Sequence, residues 1–385
     1  MLETGIITEK GPHPIPALGR RRQVLVVDDN EGIRDLLSRA LSIWGYDGTI
    51  AGNGIEAGKL FFTGSVVATA CRGKQDPKGM TQQSGATHSA VETWRRAILH
   101  LRLPFSVILT PLFFWGVYLT VPAPIPWGRV LVGYLIVHVL LYGGMNAFNS
   151  YYDRDEGPIG ALLDPPPVDR FLLSVALAFK AAALVGGLLL DLRFGLLIAI
   201  ELSLSVLYSH SRWRWKEKPV LAATCIFVGQ GVLGVLWGWT AATQPAAGLW
   251  PHDFLGSLGI LGAASWTLGM YPLTGVCQIE GDRRRCMRTL AVQLGLSGSF
   301  RFAAVVTFLG GMGTIIVLAS REAYVFLFIM ALYLVGAVHY ALRWYRGFTG
   351  WTARQNQQRL MRLSFWNGLT FTALFLVLLL QPSLR

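Results

Sequence analysis

The sequence predicts an all-α, polytopic membrane bundle of about nine transmembrane helices, preceded by a short degenerate α/β extension. Three observations carry that expectation. Only 15% of residues are charged against 52% hydrophobic, where a soluble domain carries about 25% charged residues. Mean hydropathy is +0.44. The charge is also gathered near the N-terminus and in a few short loops, leaving apolar runs close to the ~20 residues that cross hydrocarbon.

The runs fall near 104–122, 129–148, 171–190, 192–209, 219–240, 254–273, 301–319, 322–342 and 364–381. The third and fourth share a tight hairpin, as do the seventh and eighth. The net charge of +12 and pI near 9.8 could point to nucleic acid. The Lys and Arg flank apolar runs, however, so membrane topology accounts for them and no nucleic-acid partner is expected. Arg212, Arg214, Lys216 and Lys218 fill one loop, Arg283, Arg284, Arg285 and Arg288 another, and Arg343, Arg346, Arg354, Arg359 and Arg362 precede the last run. The alternate loops, VPAPIPW, AATQPAAGLWPHD and SREA, are nearly free of Lys and Arg. The basic loops therefore lie inside, with the N-terminus cytoplasmic. No early apolar stretch reads as a signal peptide. The expected location is a plasma membrane, the inner membrane of a bacterium. Cys71, Cys225, Cys277 and Cys286 form no CxxC pair, which predicts neither a disulfide framework nor a zinc site.

Upstream of the membrane region, QVLVVDDN (Gln23 to Asn30) reads as a short buried strand ending in the acidic pair Asp28 and Asp29. Ile33, Leu36, Leu37, Ala40, Leu41 and Trp44 then follow helical spacing, and DGTIAGNG reads as a second strand and turn. This resembles the opening of a response-regulator receiver domain, whose acidic pair binds a divalent cation beside a phosphorylated aspartate. The resemblance stops near residue 60. Asp76 has no strand before it to make it the phosphoacceptor, and the later strands of that family are missing. The reading is a truncated receiver-like segment over 1–60, a flexible Gly-, Thr- and Gln-rich linker over 61–95, and a transmembrane domain over 96–385.

Two cytoplasmic loops carry the chemistry. MNAFNSYYDRDEG offers Asn149, Asp153, Asp155 and Glu156; YPLTGVCQIEGDRRRCMRTL offers Gln278, Glu280 and Asp282. Asn149 and Asp153 share a helix face, as do Gln278 and Asp282, being four apart. Hard oxygen ligands in such groups suit Mg²⁺, which takes one or two carboxylates together with substrate phosphates. Nearby arginines grip the same phosphates through paired N–H donors. Lys180 and Glu201 fall within the third and fourth runs at similar depth, where they could pair.

Spans, loops and motifs together resemble the UbiA family of intramembrane prenyltransferases over residues 95–385. That family has nine helices and two cytoplasmic aspartate-rich motifs. NSYYDRDEG matches its NDxxDRDxD at Asn149, Asp153, Arg154 and Asp155, with Ser150 and Gly157 replacing aspartates. QIEGDRRRCMRTL matches its DIEGDRxxG–TL at Glu280, Asp282, Arg283, Thr289 and Leu290, with Gln278 and Cys286 departing. A YxxxK feature appears as Tyr208 and Arg212. The resemblance implies Mg²⁺ held by Asn149, Asp153, Asp155, Glu280 and Asp282. It also implies a prenyl diphosphate gripped by Arg154, Arg212, Lys216, Arg283 and Arg288. Asp153, Asp282 and Tyr208 become the catalytic candidates, with Tyr151 and Tyr271 as further aromatic faces for a carbocation. The implied acceptor is a small aromatic molecule or a lipid. The rival expectations are an ion-coupled transporter and a membrane-tethered signalling protein.

Overall fold

The computed structural model describes residues 5–8, 22–27, 46–51, 90–121, 123–155, 157–284 and 286–380. The chain falls into two compact units, Met1–Gly85 with Glu280–Met287, and Ala86–Ile279 with Arg288–Arg385.

In the first unit β1 (Gly5–Thr8) pairs antiparallel with β2 (Arg22–Val27), and β2 pairs in parallel with β3 (Tyr46–Ala51). The two expected strands are there and run in parallel. The antiparallel β1 was not expected, and an all-parallel receiver sheet has no place for it; the strands do not support a receiver domain. Asp28, Asp29, the helix between the strands, Asp76 and most of the linker lie outside the described residues, as does Glu156. The Glu280–Met287 segment closes a tight turn: Met287 N–H donates to the Asp282 carbonyl at 2.9 Å and Cys286 N–H to that of Arg283 at 3.0 Å. Cys286 is disulfide-bonded, which the cysteine spacing did not indicate; among the described residues Cys225 and Cys277 are free.

Among the described residues nine helices are long and apolar enough to cross a membrane. They are α1 (Ala90–Tyr118), α2 (Trp127–Asp153), α3 (Arg170–Leu190), α4 (Leu192–Ser209), α5 (Pro219–Ala242), α6 (Phe254–Arg284), α7 (Leu290–Ser320), α8 (Tyr324–Gly350) and α9 (Ala353–Leu380). These match the nine apolar runs, but several extend well past them. α6 runs on into Ile279–Arg284 as helical turns, because backbone hydrogen bonding continues where the hydropathy signal stops.

Glycine lets the central helices touch. A Cβ on Gly238 of α5 would lie 1.8 Å from the Phe113 carbonyl oxygen of α1, and one on Gly116 would lie 1.9 Å from that of Val235. α6 and α7 meet the same way at Gly262 and Gly310. Phe113, Trp115, Phe194 and Trp237 fill the core around this crossing. α5 is the most enclosed span, with 61% of its apolar window buried, whereas α8 has 11% buried and turns Phe328 and Val335 outward as a lipid-facing wall.

Three helices depart from regular geometry. α1 breaks at Arg102, whose φ of 48° is left-handed, and the helix restarts at Leu103 with Pro104 in its first turn, where the missing N–H costs nothing. α2 and α5 each contain a π-helical stretch, Ile136–Leu141 and Ile226–Leu233. At the end of the bundle opposite the basic loops, arginines are spent on structure. Arg193 and Arg129 bond Asp191 at 2.9 and 3.1 Å, and Arg321 donates to the Tyr118 and Leu119 carbonyls at 2.6 and 3.1 Å, capping α1. Burial alone would raise the Asp191 carboxyl, but the Arg193 and Arg129 bonds hold it below the usual range.

Candidate active site

The last turn of α2 builds the site. Helical spacing places Asn149 above Asp153, and the Asn149 amide donates to Asp153 Oδ2 at 2.8 Å. The same amide donates to Ser209 Oγ at 3.2 Å, tying α2 to the end of α4. Asp153 forms an ion pair with Lys216 from the loop after α4. Arg102, at the break in α1, donates to Asn149 Oδ1 at 3.2 Å and to the Asn146 carbonyl at 3.0 Å. The Asn146 side chain returns a bond to the Leu101 carbonyl at 3.1 Å, filling an acceptor that the break leaves open. Four segments therefore meet on one asparagine–aspartate pair.

Three backbone positions around this group are left-handed without glycine: Arg102, Arg154 and Arg214, with φ of 48°, 49° and 38°. Each costs on the order of 1 kcal/mol. Each lets an arginine turn the chain while keeping its cation, which glycine could not supply.

Of the sequence-predicted residues, Asn149, Asp153 and Lys216 come together. Tyr208 is next to Ser209 and its hydroxyl meets that of Tyr271 on α6 at 3.2 Å. Arg154 is exposed, its guanidinium 5.8 Å from the Tyr151 ring centroid. Asp155 is half-buried beyond it. Arg212 is exposed, 5.5 Å from the Trp213 ring centroid, and is not drawn into the Asp153 group. In the second acidic segment Asp282 is buried, Glu280 is exposed and pairs with Arg283 at 3.4 Å, and Arg288 is exposed.

Arg102 and Ser209 were not anticipated. Arg102 reads in sequence as one more cation at a membrane edge, and its partner is 47 residues away. Among the described residues no three His, Cys, Asp or Glu side chains form a metal-holding group. The donor chemistry still fits magnesium, since Asn149 and Asp153 offer hard oxygens and Mg²⁺ needs only one or two carboxylates.

Among the described residues, nine apolar helices carry a carboxylate–amide–lysine–arginine group at one end, which defines the chain as an integral membrane protein with a polar site at a helix end. The chain belongs to the UbiA prenyltransferase family, whose model matches residues 109–369. It is therefore a membrane-embedded prenyltransferase. Among solved structures, a UbiA homolog from Archaeoglobus fulgidus bound to Cd²⁺ is similar at a TM-score of 0.53 and 16% identity, covering 73% of this chain and 99% of its own. A digeranylgeranylglyceryl phosphate synthase is similar at a TM-score of 0.50 and 15% identity, covering 74% of this chain and 98% of its own. At these identities the likeness is one of fold. No curated protein matches the sequence.

Proposed function

We propose that this chain transfers a prenyl group from a polyprenyl diphosphate to a small aromatic or lipid acceptor at the cytoplasmic end of the bundle, with Mg²⁺ as cofactor. The observation that carries the reading is the Asn149–Asp153–Lys216–Arg102 group on a motif that matches the family's at Asn149, Asp153, Arg154 and Asp155. Asn149, Asp153 and Asp155 of the first motif, with Glu280 and Asp282 of the second, would hold Mg²⁺, which would supply positive charge against the negative charge that grows on the departing diphosphate. Arg154 grips the diphosphate oxygens from the first motif, Lys216 and Arg212 from the loop after α4, and Arg283 and Arg288 from the second motif. Asp153 orients Lys216, and Asn149 fixes Asp153. The Tyr208 and Tyr271 rings offer π-faces to the allylic cation once the C–O bond opens. The apolar helices keep water from intercepting it.

The domain limits, the cytoplasmic N-terminus and the bacterial inner membrane are part of the same reading, supported by the basic loops. A carrier places its binding acids near the bilayer midplane in broken helices. Here the motif acids are at helix ends, which favours the enzyme. The test is full-length protein in nanodiscs with geranyl diphosphate, assayed for diphosphate release with and without Mg²⁺. Release should require Mg²⁺ and be lost in Asp153→Ala and Asp282→Ala while both variants keep wild-type helicity. Undiminished release from either variant would refute the site.

A further inference from the structure

The prenyl-transfer site leaves a second polar group unused, deeper in the membrane. Lys180 of α3, Glu201 of α4 and Ser205 of α4 are 6%, 3% and 6% exposed. Lys180 and Glu201 form no ion pair among the described residues. Instead Lys180 Nζ donates to Ser205 Oγ at 3.1 Å and lies 3.7 Å from the Phe148 ring centroid on α2. Among the described residues, Glu201 Oε2 is buried with no hydrogen-bond partner. A buried carboxyl oxygen without a donor is costly in an apolar interior, so a group of this kind in mid-membrane calls for a functional explanation.

The neighbouring helices are shaped to hold it. A Cβ on Gly229 of α5 would fall 2.4 Å from Glu201 Oε2, so the carboxyl occupies the space of a missing side chain. Gly229 is inside the π-helical stretch Ile226–Leu233, and such bulges recur at functional sites. A Cβ on Gly144 of α2 would fall 3.0 Å from Lys180 Cγ. Glu201, Ser205 and Ser209 are spaced four apart on one face of α4, and Tyr208 shares that face. Ser209 holds Asn149, so this polar stripe descends from the first motif to the carboxyl. Eight residues of helix put Glu201 about 12 Å below Ser209. With the diphosphate held at the first motif, Glu201 is on the membrane side of it.

We propose that Glu201 is the proton acceptor for a hydroxyl-bearing prenyl acceptor, with Lys180 and Ser205 as positioning residues. The proposal rests on the prenyl-transfer reading. The acceptor's hydroxyl donates to Glu201 Oε2. As the C1–O bond to diphosphate breaks, its electron pair leaves with the diphosphate. The nucleophile, the hydroxyl oxygen or a ring carbon it activates, forms the new bond to C1, and the hydroxyl proton passes to Glu201. An O-prenyl product ends there; for a C-prenyl product the ring proton leaves to the released diphosphate while Glu201 returns its proton to the oxygen, restoring the phenol. The titratable groups facing Glu201 are Lys180 from α3, Tyr142 from α2 and Cys225 from α5.

The test uses the full chain in nanodiscs with Mg²⁺, geranyl diphosphate, and 4-hydroxybenzoate or a glycerol monoether as acceptor. Glu201→Gln should lower kcat by about 100-fold or more, the range of general-base catalysis. It should leave binding of a thiolo analogue of geranyl diphosphate within about threefold and abolish the fall of kcat at acid pH. Lys180→Met should lower kcat and move that acid limb without changing analogue binding. The proposal is overturned if Glu201→Gln keeps kcat within about threefold, keeps the acid limb, or loses analogue binding in parallel with kcat. It is also overturned if the wild type binds the analogue but prenylates neither acceptor. Should Glu201→Gln fail to fold, Glu201→Asp decides: reduced kcat with the limb retained supports the proposal, and wild-type kcat overturns it. Analogue binding unchanged in Asp153→Ala would instead count against the donor site alone.

Discussion

Replacing Arg102 tests whether the first motif is held from outside itself. Its guanidinium makes two charge-assisted bonds, at 3.2 Å to Asn149 Oδ1 and 3.0 Å to the Asn146 carbonyl. Each such bond contributes about 1.5–3 kcal/mol. The Asn146 carbonyl retains a helical partner, so the larger share falls on Asn149, whose amide orients Asp153 at 2.8 Å. Arg102→Ala keeps the unfavourable left-handed backbone and removes both bonds, a loss of roughly 2–4 kcal/mol. If that loss is expressed in the transition state, kcat/KM falls by about 30- to 1,000-fold, at tenfold per 1.36 kcal/mol. Arg102→Lys retains the charge but is shorter and lacks the planar guanidinium whose Nη2 makes both bonds, and should recover only part of the loss. The assay is Mg²⁺-dependent release of diphosphate from geranyl diphosphate, measured beside a melting temperature. Activity within about threefold of wild type in Arg102→Ala refutes the reasoning. So does a deficit that disappears on cooling below a lowered melting point, because Arg102 would then be only a structural brace.

Gly238→Ala should destabilise the bundle by about 1–3 kcal/mol or more, since its Cβ would meet the Phe113 carbonyl oxygen at 1.8 Å and force α1 from α5; thermal unfolding in detergent reads this directly. Lys216→Met should raise the KM for geranyl diphosphate about tenfold with a smaller effect on kcat, because it removes a diphosphate grip and the partner of Asp153. Asp191 titrates below the usual carboxylate range despite its burial, through Arg193 and Arg129. Its folded pKa is depressed, so its contribution is full above the unfolded value near 3.9 and is lost as pH falls through the folded one. The melting temperature of wild type should therefore drop more steeply below about pH 4 than that of Asp191→Asn.

The nine spans were legible because a run of about 20 apolar residues has few other uses. Their ends were not. α6 continues to Arg284 and α1 begins at Ala90, in turns whose polar residues send no hydropathy signal. The motif residues Asn149 and Asp153 could be placed on one face from their spacing alone. The partners that hold them could not, because Lys216 is 63 residues from Asp153 and Arg102 is brought in by a backbone break. Lys180 and Glu201 were expected at similar depth, where a mutual ion pair looked open. The structure sends Lys180 to Ser205 instead, because side-chain direction depends on helix rotation, which a pattern of apolar residues only loosely constrains. At the N-terminus β2 was readable from its apolar run and β3 from the turn residues that follow it, whereas β1 is only four residues long.

One metal ion shared by both acidic segments would connect everything proposed for this enzyme. Mn²⁺ substituted for Mg²⁺, with a non-reacting geranyl diphosphate analogue, can be followed by electron paramagnetic resonance through its coupling to the phosphorus nuclei. The account predicts that coupling in the wild type, and its loss or marked weakening in Asp153→Asn and in Asp282→Asn alike. A spectrum that survives intact in either variant would mean that the two segments do not serve one metal-bound diphosphate.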